Sequence, residues 1–285
     1  MKIVCTSDKK YMPLLRALVT SVATNSPQTS IYARLVSWEE KITDEEIADL
    51  KNIHPLVEIE RDDGTGLEAE TFEKAPNLVE NFLKSREKNR PHHHRRSERK
   101  SAFKTYQTIY TDAAAYCTNI KFNTLNKLAK ACKEPLLYLD VDTVVRKDLS
   151  DLEAIIENTD IAIVNDTPTL IDFKQGGLIG FNPNALRARV YMLEVESQLD
   201  LFNITGDEIA MKAVYDQVVA RHWRAARMDL ALQVEALSCI YKDEGKNGSF
   251  DSESVMWSGH GDIKSYSEAY ISEQRKYENS SDNTS

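Results

Sequence analysis

Long apolar runs are missing from this sequence: no stretch approaches the roughly 18–20 residues needed to span a bilayer. Cysteine is scarce as well. Cys5, Cys117, Cys132 and Cys239 lie far apart, without metal-ligand spacing and without the density of a secreted disulfide scaffold. Reduced thiols in a cytoplasmic protein are the expectation. Basic charge is outweighed, 36 Lys and Arg against 45 Asp and Glu, and the net charge of −9 argues against general nucleic-acid binding. The opening Met1–Asp8 reaches an acidic residue too early for a signal peptide. There is no internal repeat and no clean linker. What remains reads as a soluble globular chain of 285 residues, 41% apolar and 28% charged, long enough to bury a large core. One domain over residues 1–271 is expected, with a polar tail, 272–285, expected to be disordered.

The most informative stretch is Leu136–Val145, Leu-Leu-Tyr-Leu-Asp-Val-Asp-Thr-Val-Val. An apolar run delivers Asp140 and Asp142 to the end of a buried strand. Residues two apart on a strand share a face, so both carboxylates are expected to meet one ligand. Adjacent carboxylates repel, and a cation between them relieves that repulsion. Mg²⁺ or Mn²⁺, hard ions that take oxygen ligands and share them with phosphates, suit the pair. Asp-x-Asp alone arises about once by chance in an acidic chain of this size, so the flanking apolar run carries the argument.

Strand and helix signals alternate along the chain. Lys2–Thr6, Ile31–Val36, Leu56–Ile59, the run before Asp140, Ile161–Val164 and Gly177–Phe181 read as strands. Leu14, Leu15, Leu18, Val19 and Val22 recur at helical spacing. Thr43-x-x-Glu46 and Ser150-x-x-Glu153 look like capping boxes, and helices are expected over Ala102–Ala131, Asn184–Gln198 and Thr205–Ala220. Such alternation predicts an α/β domain with a mostly parallel sheet covered on both faces. Ligands of such sheets sit at the carboxyl ends of strands, where Asp8, Asp140 and Asp142 fall. One segment departs from the pattern: Lys84–Lys104 carries nine Lys or Arg against two Glu, with His92, His93 and His94 at its centre. It reads either as a mobile solvated loop or as a lid that touches phosphate or an acidic acceptor.

Several blocks resemble family 8 glycosyltransferases, which have the GT-A fold. Lys2–Ser26, beginning Lys-Ile-Val-Cys-Thr-Ser-Asp-Lys-Lys-Tyr, is similar to that family's opening strand, polar turn and helix. Leu137–Leu152 resembles its metal-binding strand. Gln175–Asn182 resembles its Asn-x-Gly-Val-x-x-x-Asn strand, with Gln175 for the first Asn. Gly206-Asp207-Glu208 resembles its Asp-Gln helix start, and His260-Gly261-x-x-Lys264 its C-terminal His/Gly/Lys element. In the family the His usually stands three residues before the Gly, a position held here by Ser258.

The resemblance implies a retaining, metal-dependent transfer of a hexose from a UDP-sugar to a glycan, protein or small-molecule acceptor. It implies Mn²⁺ or Mg²⁺ on Asp140, Asp142 and His260, with Lys264 pairing the phosphates as a point charge. Thr6, Asp8, Tyr11, Asp140, Val141 and Gly261 then border the nucleotide. A carboxylate that accepts a ring N–H and a phenol ring that covers a face suit a base, and the resemblance makes that base uracil. Gln175, Asp207 and Glu208 become candidates for holding donor-sugar hydroxyls. Plainer roles stand beside these: Asp8 as a helix cap, Glu208 in a Thr205-x-x-Glu208 capping box, and His260 and Lys264 in a polar surface turn. Two other functions fit parts of the chain. Asp140-Val141-Asp142-Thr143-Val144 also matches the nucleophile motif of haloacid-dehalogenase-like phosphatases, though Met211 stands where their second metal-binding acid belongs. An inactive carbohydrate-binding protein on the transferase fold is the other.

Overall fold

The expected alternation is what the chain forms. In the computed structural model, which describes residues 1–37, 40–63, 112–164, 177–202, 207–224, 231–245, 249–259 and 267–278, β1 (Lys2–Asp8) leads through a 3₁₀ turn (Lys9–Tyr11) into α1 (Met12–Asn25). Then come β2 (Ser30–Val36), α2 (Asp44–Ile53) and β3 (Val57–Asp62). After α3 (Asp112–Ala131) the chain forms β4 (Leu136–Leu139), β5 (Thr143–Val145), α4 (Ser150–Glu157) and β6 (Ile161–Val164). The remaining elements are β7 (Leu178–Phe181), α5 (Leu186–Phe202), α6 (Asp207–Arg224), β8 (Val234–Leu237), β9 (Met256–Ser258) and α7 (Glu268–Glu278).

Seven strands make one sheet in the order β3-β2-β1-β4-β7-β6-β8, and β5 pairs with β9 in a separate ribbon. Within the large sheet every pairing is parallel except the two made by β7. The order turns back between β1 and β4, which leaves a crevice at their carboxyl ends, the switch point where ligands bind in open α/β sheets. Both faces are covered. Ile3, Cys5, Leu137 and Leu139 point to one side and pack with Leu15, Leu18, Leu152 and Ile156 of α1 and α4. Val4, Leu136 and Tyr138 point to the other and pack with Phe122, Leu125, Tyr191 and Met211 of α3, α5 and α6. Burial on both faces is why β4 reads as an unbroken apolar run rather than an alternating one.

Local signals were mixed guides. The Thr43 capping box forms, Thr43 Oγ1 accepting from Glu46 N at 3.2 Å while Glu46 Oε2 accepts from Thr43 N at 3.0 Å. The one expected at Ser150 does not. Ser150 is already the first helical residue, its N–H donating 2.9 Å to Asp148 Oδ1, and Glu153 pairs with the N-terminal ammonium of Met1 instead. The polar tail expected from residue 272 is also corrected: α7 runs to Glu278 with Tyr270, Glu273 and Gln274 buried. Arg146 pairs with Glu273 at 3.2 Å, and Arg16 donates 2.9 Å to the Glu278 carbonyl. These polar side chains bind the helix to the domain, so its low hydrophobicity misled. Residues 279–285, the basic segment 84–104 and the first part of the helix expected from Ala102 lie outside the described residues.

Candidate active site

Two chain turns project from the switch point. The first follows β1. Asp8 Oδ1 accepts from Tyr11 N at 3.2 Å and so caps the 3₁₀ turn, the plainer of its two expected roles. Burial raises its carboxyl above the ordinary aspartate value, opposed by backbone N–H bonds from Tyr11 and Lys10 and by the Lys10 charge. Tyr11 is half-buried against the α1 side of the core, and the Lys10 ammonium lies 5.1 Å from its ring centroid. Two residues before Asp8, the Thr6 hydroxyl is buried with no hydrogen-bond partner among the described residues. Such a group is costly to bury unless something completes it.

The second turn follows β4. The strand stops at Leu139, and Thr143 N donates 3.1 Å back to Asp140 O. Asp140 and Asp142 therefore stand on a tight turn, not on one face of a continuing strand as the spacing predicted, because β5 leaves the large sheet for the ribbon with β9. Val141 between them is buried. The C-terminal part of the chain clamps this turn. Asp142 O accepts from Gly259 N at 3.1 Å and from the Tyr270 hydroxyl at 2.5 Å, while Ser258 Oγ donates 3.1 Å to Asp142 Oδ1. Ser258 is the residue at the position where the His/Gly/Lys element usually carries its histidine.

Asp140 is held from the other side. Its N–H donates 3.1 Å to Gly177 O, and a Cβ on Gly177 would lie 2.2 Å from Asp140 Oδ2 and 2.4 Å from Lys242 Nζ. A side chain at this position would displace one or both of these groups. Beneath, the buried Tyr138 hydroxyl is kept protonated by burial first and by the Asp140 charge next, and it bonds toward Asp140. Asp207 opens α6 in a buried ion pair with Lys121 of α3, whose ammonium also lies 4.7 Å from the Tyr138 ring centroid. Asp207 thus belongs to the same face of the sheet as Tyr138, and Lys121, a partner that sequence reasoning missed, holds it there. Asn182, which ends the Gln175–Asn182 block, is structural: its side-chain amide donates to Glu157 O and Thr159 O at 2.8 and 3.1 Å. Gln175, His260, Gly261 and Lys264 lie outside the described residues, as does the side chain of Glu208.

Two hard carboxylates on one turn suit a divalent cation by donor chemistry. Among the described residues no group of three or more His, Cys, Asp or Glu side chains is placed to hold one. A surface depression lined by Asn158, Thr159, Gln233 and Glu235 sits at the amino ends of β6 and β8, the opposite edge of the sheet, and has no part in this site. No helix among the described residues is long and apolar enough to cross a membrane.

This architecture is that of the GT-A glycosyltransferases. A solved WbbM bifunctional glycosyltransferase superposes with a TM-score of 0.57 at 13% identity, over 98% of this chain and 50% of that one. The apo glycosyltransferase GlyE of Streptococcus pneumoniae TIGR4 gives 0.55 at 11%, over 97% and 59%. The galactosyltransferase LgtC, in complex with donor and acceptor sugar analogs, gives 0.51 at 13%, over 97% and 96%. The chain thus spans half the length of the WbbM chain and nearly all of LgtC. Comparison with curated proteins finds no match. The model of Glycosyl transferase family 8 matches residues 2–189, and the chain belongs to that family. Membership removes the phosphatase reading, as does the position of the acidic turn after the fourth strand rather than the first.

Proposed function

We propose that this protein transfers a hexose from a UDP-sugar to an acceptor hydroxyl with retention of configuration, assisted by Mn²⁺ or Mg²⁺. The observation that carries the reading is the pairing of two turns at one switch point: a base-facing turn with Asp8 and Tyr11, and beside it a turn with two carboxylates. Asp140 and Asp142 would hold the cation, which when bound supplies Lewis-acid stabilisation of the leaving diphosphate. Asp8 accepts a ring N–H of uracil while Tyr11 covers a face of the base. Thr6 offers its buried, unpartnered hydroxyl to the nucleotide, and Val141 borders it. Asp207, oriented by Lys121, accepts hydrogen bonds from donor-sugar hydroxyls, a task that Gln175 and Glu208 share in this proposal. Gly261 borders the nucleotide in this proposal, Lys264 pairs with the phosphates as a point charge, and His260 remains a further candidate ligand. During transfer the bond from the anomeric carbon to the diphosphate oxygen breaks, the acceptor oxygen bonds to that carbon, and the hydroxyl proton leaves with the diphosphate. The cytoplasmic setting belongs to the same proposal, in keeping with the unbridged thiols of Cys5 and Cys132.

A screen of nucleotide sugars with Mn²⁺, read as nucleoside diphosphate released, tests the reading. UDP released from one UDP-hexose above all others is the expected result. Phosphate release from sugar phosphates, or tight sugar binding with no turnover of any donor, overturns it.

A further inference from the structure

The C-terminal ribbon carries a charge that the reaction scheme leaves unused. Lys242 immediately precedes Asp243, which is bonded along β9: Asp243 N donates 2.9 Å to Met256 O, and Asp243 O accepts 2.9 Å from Ser258 N. The Asp243 carboxylate then fixes its own loop, accepting from Gly245 N at 2.8 Å, Asp251 N at 2.6 Å and Ser254 Oγ at 3.3 Å. Gly245 supplies the left-handed backbone this loop needs, at φ 61°. A rigid frame therefore presents Lys242, and its side chain runs inward to the bare Cα of Gly177, where the Asp140 carboxylate also stands.

The lysine side chain is 3% exposed, and its ion-pair partner among the described residues is Glu244 at 3.7 Å, beyond hydrogen-bonding distance. A buried ammonium with three donors is expensive unless anions complete it. Asp140 supplies part of that compensation. A ligand carrying several negative charges, arriving at the Asp140 turn, would supply the rest. On the other flank, Ser258 gives Asp142 a neutral hydroxyl donor, and among the described residues the acidic side chains on this turn are the carboxylates of Asp140 and Asp142. The described part of the site thus brings a buried cation to the flank of two carboxylates.

We propose that Lys242 is a built-in cation of the donor site, which neutralises the diphosphate of the nucleotide together with, and partly in place of, a divalent metal. The proposal rests on the nucleotide-sugar reading of the same site and specifies how its charge is balanced. Low dielectric around the buried ammonium strengthens its hold on phosphate, and the Gly177 surface keeps the path between them free of side chain. Nucleotide binding in this protein consequently survives chelation.

Calorimetric titration of UDP and of inorganic pyrophosphate, each with Mn²⁺ and with EDTA, tests this on wild type, Lys242→Gln and Lys242→Arg, with melting curves to verify folding. Wild-type affinity for UDP falls less than tenfold on chelation. Lys242→Gln loses at least a further tenfold in EDTA but far less in Mn²⁺, and Lys242→Arg restores metal-free binding. Wild-type UDP binding that vanishes in EDTA overturns the proposal while leaving the donor reading intact, and this arm needs no variant to fold. Pyrophosphate binding that depends on Lys242, with no UDP binding even in Mn²⁺, sinks the uridine reading and keeps Lys242. Failure of both probes under every condition sinks both.

Discussion

Two lysines of this protein are equally hidden, each with a side chain 3% exposed, yet their surroundings differ. Lys121 is closed on all sides: Asp207, 10% exposed, pairs with it tightly, and the rings of Tyr138 and Phe122 lie 4.7 and 5.8 Å from its ammonium. Lys242 has Glu244 at 3.7 Å and the flank of Asp140 across Gly177. A cation whose partner is in full contact holds elements together, here α3 to the start of α6. A cation whose ion-pair partner among the described residues stands beyond hydrogen-bonding distance is equipped to meet an anion that arrives later. Burial alone does not distinguish scaffold from site; the completeness of pairing does.

The contrast is broken or sharpened most strongly by removing the two charges in turn. Lys121→Met leaves Asp207 buried without its partner, and its expected cost is about 3–5 kcal/mol of stability in denaturant unfolding. Lys242→Gln should cost clearly less, since no tightly paired carboxylate is stranded. Equal losses at the two positions would erase the distinction. Next in size is the acidic turn. Asp140→Asn or Asp142→Asn should lower turnover by about a hundredfold or more, comparable to losing one group that stabilises developing charge, while the melting temperature stays near wild type. Near-normal turnover with Mn²⁺ in both variants would remove the cation from Asp140 and Asp142.

The smallest effect belongs to Asp8. Its folded carboxyl titrates above the ordinary aspartate value of about 3.9 because burial disfavours its charge. The ionised form accepts a ring N–H more strongly than the protonated acid, which keeps a weaker carbonyl acceptor. UDP affinity should therefore be complete above the raised value and fall as pH drops below it, sooner than an ordinary aspartate would allow. Stability carries the opposite sign: between the unfolded and folded values the native state holds the extra proton, so acidification through that window favours the fold. Asp8→Asn keeps a capping side chain and should abolish the acid-side loss of affinity. Titrations across pH with both proteins check this, and superimposable profiles would separate Asp8 from the base.

What the sequence made legible follows the range of the interactions concerned. β1, β4 and α1 announce themselves through local periodicity, and Asp8 and Asp140 stand at the ends of runs that burial on both faces makes continuous. Asp142 was expected beside Asp140 through strand alternation, whereas a turn brings it there. Lys121, Lys242, Ser258 and Tyr270 were missed because each acquires its role from a partner far along the chain: 86 positions for Lys121 and Asp207, 116 for Ser258 and Asp142, 128 for Tyr270 and Asp142. Ser258 alone left a trace, as the residue in the histidine's usual place. Lys242, Ser258 and Tyr270 also lie beyond residue 189, where the family match ends. Polar side chains that dock α7 looked like those of a solvated tail, because composition does not record which partner a charged group will find.

The clamp on Asp142 also sets an order of events during synthesis. The strands that form the floor of the crevice, β1 and β4, are complete once residue 139 has been made, and they can pair as soon as they emerge. The hydroxyls and the amide that fix the acidic turn come from Ser258, Gly259 and Tyr270. Until those residues have been made, the acidic turn lacks its clamp, whatever part of the sheet has formed. A chain cut before α7 would keep the two strands that floor the crevice and lack the Tyr270 hydroxyl on Asp142.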